Sequence, residues 1–177
     1  MYKLNLTIIN KIVCAVSTKP SQYCLNGIHV YDKDGFRYYE ATNGHICFRV
    51  RDSIEEDSLP ADYIVEIKSP IKTKLKYGEL VLADKDTAVI KADTKCAFDI
   101  IDCTFPDIEP LIPKNREFAS EYTMFDPDYL EKLAKAFGSI GILQKRPIQE
   151  NRKYPALWEW EDDNSQYSAL LMPLAVE

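Results

Sequence analysis

Apolar and polar residues alternate along this chain in short runs punctuated by turn residues, a pattern that predicts antiparallel strands joined by tight turns. Gly27-Ile28-His29-Val30-Tyr31 runs into Asp32-Lys33-Asp34-Gly35, a sequence suited to a hairpin turn, and Phe36-Arg37-Tyr38-Tyr39-Glu40-Ala41-Thr42 returns. Asn43-Gly44 marks the next reversal, followed by Ile46-Cys47-Phe48-Arg49-Val50. Upstream, Ile9, Ile12, Val13 and Val16 recur at spacings of three and four, which predicts a helix over 8–16 ending before Pro20. The first unit therefore reads strand, helix, three strands.

A polar, acidic stretch at 52–62 breaks the periodicity, and the same order then repeats. Strands are expected at 63–67, 79–82, 87–91 and 97–101, with a short helix opened by Ser69-Pro70 and running to Leu75, and a turn at Asp84-Lys85-Asp86. A third unit follows a proline-punctuated joint at 106–113. It has a strand at 121–125 and a helix from Asp128 to Phe137, capped by Asp126-Pro127, with Leu130, Leu133, Ala134 and Phe137 on its apolar face. Gly138 or Gly141 ends that helix, and strands at 142–143, 156–160 and 167–174 close the unit. A repeated supersecondary unit implies an array whose members bury faces against each other. The expected fold class is α+β, antiparallel sheets with packed helices: residues 1–113 form one closed domain and residues 114–177 a half domain.

Three segments carry a more specific signal: Leu25-Asn26-Gly27 with Ala41-Thr42-Asn43-Gly44-His45, then Phe105-Pro106-Asp107-Ile108-Glu109-Pro110-Leu111-Ile112-Pro113, then Ala169-Leu170-Leu171-Met172-Pro173-Leu174. Their order and spacing resemble the bacterial sliding clamp family, the beta subunit of DNA polymerase III. Residues 1–113 look like the middle domain of such a clamp, and 118–177 like the second half of its last domain. The resemblance implies a hydrophobic groove for short client peptides at Leu25, Thr42, Gly44, His45, Pro106, Leu111, Leu170, Leu171, Met172, Pro173 and Leu174. Leucine, methionine and proline can line a pocket for an apolar anchor, and methionine adapts its shape to several partners. The sequence departs from the family at the groove rim. Ile46 stands where a basic residue is expected, and Ile108, Glu109 and Pro110 where aromatic and basic ones are expected.

Composition narrows the alternatives. The chain has 177 residues and a formal net charge of −6, with −3 on each side of residue 113. An acidic chain does not condense non-specifically on DNA, since that needs many Lys/Arg–phosphate contacts. It can enclose DNA only if its bases gather on one inner face, for which Lys11, Lys72, Lys74, Lys76, Lys132 and Lys135 are the candidates. No apolar run is long enough to span a bilayer and no leader pattern is present, so a cytoplasmic protein is expected. The five cysteines are scattered without a Cys-x-x-Cys or Cys/His cluster, and are expected to be small buried hydrophobes with no metal site.

No cofactor and no catalysis are expected. Asp102 with Asp107, the acidic run Glu159, Glu161, Asp162 and Asp163, and His45 with Cys24 or Cys47 are the arrangements that invite an enzymatic reading. A charged turn explains the acidic run, and none meets the demands of role and geometry. The expected partners are a DNA polymerase or other replication or repair clients, a clamp loader, and double-stranded DNA if a ring forms. The rival reading is a clamp-like module that captures client peptides without enclosing DNA. The apolar face of the third unit's helix needs a cover, expected from a second copy of the chain in a homo-oligomer, the alternative being that unit three folds back on the first domain and leaves a monomer. Four chains would supply a ring's twelve units.

Overall fold

The computed structural model describes residues 2–54, 56, 58–67, 71–72, 76–82, 87–91, 96–118, 123–137, 146–162 and 164–174. The strands are β1 (Tyr2–Asn5), β2 (Ile28–Lys33), β3 (Phe36–Thr42), β4 (Ile46–Ser53), β5 (Asp62–Ile67), β6 (Tyr77–Leu82), β7 (Thr87–Lys91), β8 (Cys96–Ile101), β9 (Ala156–Glu161) and β10 (Ser165–Leu171). The helices are α1 (Leu6–Ile12) and α2 (Pro127–Phe137). All ten strands join one antiparallel sheet in the order β1-β6-β7-β8-β5-β2-β3-β4-β10-β9. This is the expected α+β class.

Pairing between the first two units is reciprocal. The first strand of each unit pairs with the second strand of the other: β1 with β6, Leu4 opposite Gly78, and β5 with β2, Val65 opposite Ile28. The third unit attaches through last strands, with Tyr167 of β10 opposite Val50 of β4. Between β2 and β3 the two-residue turn has positive φ at Asp34 (52°) and Gly35 (79°), the mirror-image turn whose twist matches the flanking strands.

The main core crosses residue 113. Leu4, Ile8, Ile12, Phe48 and Phe98 share it with Leu133, Ala136, Ala156 and Trp158, and α2 packs on α1. Phe137 meets Phe48, Trp160 and Tyr167 edge-on at centroid distances of 4.8, 4.3 and 5.6 Å. Leu133 is 1% exposed, so the helix face expected to need a second copy is covered within the chain. That face therefore gives no ground for self-association.

Buried polar groups tie the units at their junctions. Asp52 accepts from Asn5 Nδ2 at 2.7 Å and from Ser165 Oγ at 2.8 Å, joining the residue that caps α1 to β10. Arg37, 1% exposed, makes a two-pronged pair with Asp32 (2.8 and 2.9 Å) and donates to the carbonyls of Lys3 and Leu59. Every prong of that guanidinium is spent, which is what permits its burial.

Several local expectations shift. The first helix begins two residues earlier and closes as a 3₁₀ turn, Val13–Ala15. Ile71 and Lys72 are not helical, and the rest of the expected 69–75 helix lies outside the described residues, as do the 84–86 turn, Gly138, Gly141 and strand 142–143. Thr123–Phe125 is irregular rather than a strand, because Met124 offers its carbonyl to Leu174 N at 2.9 Å instead of a ladder. On α2, Ala136 takes the buried position and Ala134 only a partly exposed one.

Candidate functional site

The floor of the candidate groove is built by strand register. Leu170 of β10 lies opposite Cys47 of β4 on one side and Leu157 of β9 on the other, and these three cluster with Ile108. Because side chains alternate across a strand, Ala169 and Leu171 face the main core instead.

One end of the floor is shaped by the turn after β3. Thr42 Oγ1 donates to Ile46 O at 2.8 Å and accepts from Gly44 N at 3.1 Å, while Asn43 Oδ1 accepts from the amides of His45 and Ile46. Gly44 has φ +89°, a conformation side chains resist, although a Cβ there would meet nothing nearer than Gln22 Nε2 at 4.0 Å. Backbone angle, not crowding, calls for glycine. His45 stacks on Tyr129 of α2 at 5.8 Å, and its carbonyl accepts from Met172 N at 2.8 Å, carrying the β4–β10 ladder one residue past its end.

The walls come from outside the ladder. Leu25 closes the 3₁₀ segment Pro20–Leu25 and holds Ser17 N on its carbonyl at 2.8 Å. Opposite it, the chain leaves β8 and runs to the 3₁₀ turn Glu109–Leu111, which the Asp107 carboxylate opens by accepting from Glu109 N at 2.9 Å. Floor and walls enclose about 250 Å³ lined by Leu25, Thr42, Gly44, His45, Ile46, Cys47, Pro106, Asp107, Ile108, Leu111, Pro155, Leu170 and Met172.

Eight of the residues named from sequence thus come together from three distant segments. Leu171 lies behind the floor, Pro173 and Leu174 lie beyond the end of β10, and none of the three lines the cavity. Ile46, Cys47, Asp107, Ile108 and Pro155 were missed. Cross-strand register would have found Cys47, the partner of Leu170, but register is not visible in one sequence.

Two fastenings hold the outer wall. Glu109 pairs with Arg49 at 2.7 Å, and Arg49 Nε donates to the buried Glu40 at 2.6 Å. Tyr31 OH also donates to Glu40, at 2.9 Å. Burial opposes the Glu40 charge, yet His29, Arg49 and Tyr31 together hold its carboxyl below the usual range. Burial likewise opposes charge on Arg49, but Glu40 and Glu109 raise its affinity for the proton. The second fastening is covalent: Cys24 and Cys103 form a disulfide with Cα atoms 5.6 Å apart. The expectation of five merely buried thiols fails there, because the 3₁₀ segment and the end of β8 bring two distant cysteines together. Cys47 does remain a buried thiol, which burial pushes up, and Cys14 is a half-buried one.

Several members of the arrangements that invite an enzymatic reading are placed apart or held by other partners. His45 is exposed beside Tyr129 while Cys47 is buried. Glu159 pairs with Arg116, and Asp162 caps the β9–β10 turn and accepts from Tyr167 OH at 2.7 Å. Among the described residues no group of three or more His, Cys, Asp or Glu is placed to hold a metal, and no helix is long and apolar enough to cross a membrane.

Of the candidate DNA-facing lysines, Lys11 lies on α1, and Lys132 and Lys135 lie on α2 packed beside it. Lys76 sits at the start of α1, its carbonyl accepting from Leu6 N at 2.7 Å. Lys135 pairs with Glu131 at 2.6 Å, and Lys132 lies over the Tyr129 ring. Lys72 is exposed, and Lys74 lies outside the described residues.

No protein-family model matches the chain, and no curated protein sequence matches it. Solved structures do. The sliding clamp of Bacillus subtilis DNA polymerase superposes with a TM-score of 0.74 at 13% identity, covering 99% of this chain and 64% of that one. The DNA polymerase III beta chain of Streptococcus pneumoniae gives 0.73 at 14%, covering 98% and 64%. A Pseudomonas aeruginosa sliding clamp solved bound to griselimycin gives 0.71 at 15%, covering 99% and 65%. The chain has the sliding-clamp fold and spans slightly less than two-thirds of the length of these clamps.

Proposed function

We propose that this chain is a divergent, shortened member of the sliding-clamp family, a non-catalytic replication protein that binds short linear client peptides in the groove between Leu25, Leu111, Leu170 and Met172. The observation that carries the reading is the convergence of three distant segments on one apolar, open cavity of about 250 Å³. Its clients are a DNA polymerase or other replication and repair factors, placing it with the DNA in the cytoplasm.

A peptide in such a groove gains most of its affinity from one or two apolar anchors, with the rim excluding water. The Leu170–Cys47–Leu157–Ile108 floor suits a leucine or aromatic side chain. Lysines on paired helices α1 and α2 supply the surface that would face DNA, and the departure of Glu109 from the family's basic rim shifts client choice. A fluorescent peptide carrying a leucine–phenylalanine anchor pair tests this: saturable binding is expected, and none at high micromolar protein would overturn it.

A second reading has its own support. Leu133 and Phe137 are covered inside the chain, which favours a peptide-capturing module that does not enclose DNA. Light scattering separates the two: a monomer at high concentration supports the module, whereas a tetramer supports a ring of twelve units.

A further inference from the structure

We propose that Cys24 and Cys103 form a thiol–disulfide exchange site whose redox state sets the outer wall of the groove. The inference rests on the groove reading above. Cys24 immediately precedes Leu25, and Cys103 lies three residues before Pro106, so one bond joins the roots of both walls. Leu25 and Cys103 pack together on the small cluster Ile64, Ile101 and Phe105, which is separate from the main core. The floor has its ladder; the walls have this bond, that cluster and the Arg49–Glu109 pair.

The bond is also reachable. Both cysteines are partly exposed, and Cys103 lines a second, open cleft of about 660 Å³ with His29, Asp62, Asp102 and Thr104. That cleft shares no lining residue with the groove, which gives a small thiol an approach of its own. The co-reactant is a low-molecular-weight thiol such as glutathione. Its thiolate attacks the Cys103 sulfur, the S–S bond breaks, and its electron pair leaves on Cys24, which takes up a proton. A second thiol then displaces Cys103 from the mixed disulfide. The protein gains two thiols, and the two reductant thiols end as one disulfide.

With the bond closed, the segment from Cys103 to Leu111 is tied at both ends, to Cys24 and through Glu109 to Arg49. With it open, the Arg49–Glu109 pair, the small apolar cluster and the seat of Ile108 on the floor remain, and a wall that must be ordered on binding weakens binding.

The test equilibrates the full chain in glutathione buffers from reducing to oxidising and reads three things: the Cys24–Cys103 linkage by peptide mapping, amide hydrogen exchange over 104–112, and affinity for the fluorescent peptide. Reduction should speed exchange over 104–112 and weaken binding by about tenfold, by loss of preorganisation. Cys24→Ser and Cys103→Ser should bind at the reduced level and ignore the buffer. Two free thiols throughout the series, or identical exchange and affinity in both forms of the unaltered protein, would overturn the proposal. Faster exchange on reduction, with peptide bound by neither form, would support the redox lock and overturn the groove reading.

Discussion

The floor and the outer wall of the groove are made by different means. The floor is three ladder-paired strands whose side chains, Cys47, Leu157 and Leu170, are each 4% exposed or less. The wall, residues 102–112, is held by a disulfide, one ion pair, the small cluster around Phe105, and Ile108, which is buried in the floor cluster. Damage to the floor is therefore paid in global stability, and damage to the wall in binding. A protein can change what its wall recognises without endangering its fold.

The largest effects should follow from cutting the floor's supports. Arg49→Met removes the partner of the buried Glu40 and should destabilise by about 3–5 kcal/mol, as for other broken buried pairs, measured by urea denaturation. Leu170→Ala opens a cavity beneath the groove and should cost about 2–5 kcal/mol. Acid acts on the same place. The Glu40 carboxyl is held below its ordinary 4.5, so its stabilising contribution is present above that value and lost as pH falls through the lower folded value. A urea midpoint that fell equally in Arg49→Met and the unaltered protein below pH 4.5 would contradict this assignment.

Substitutions outside the floor should weigh less on stability than those within it. Met172→Ala should weaken the peptide by about 1–3 kcal/mol, with little change in the unfolding midpoint. Leu174→Ala, outside the cavity lining, should leave affinity nearly unchanged. Glu109→Gln is the smallest: its partner pair is exposed and should contribute about 0.2–1 kcal/mol, screened by salt. Equal losses from Met172→Ala and Leu174→Ala would erase the distinction between groove and surface.

The same contrast explains what could be read from the sequence. Alternation marked nearly every described strand, and it survives most clearly in β2, where Ile28 and Val30 are buried and His29 and Tyr31 are more exposed. The turn glycines Gly35 and Gly44 were equally visible, since only their backbone angles demand them. Leu170 was named, but Cys47 beside it escaped because their pairing depends on register between strands more than a hundred residues apart. The disulfide escaped for a similar reason: 79 residues separate Cys24 from Cys103, and no local pattern links them. Resemblance supplied the groove's outline, but extended it along Leu171, Pro173 and Leu174 as though the whole final segment faced one way. Strand alternation turns Leu171 to the main core, and past the end of β10 Met172 lines the cavity while Pro173 and Leu174 do not.

The central claim is that floor and wall together form one peptide site. Backbone amide shifts of the isotope-labelled protein, followed during titration with the leucine–phenylalanine peptide, test it most directly. Saturating shifts should concentrate at Thr42, Gly44, Ile46, Cys47, Ile108, Leu111 and Met172, with Leu59 and the β6–β7 hairpin unmoved. Shifts confined to the His29 cleft, or scattered without saturation, would contradict it.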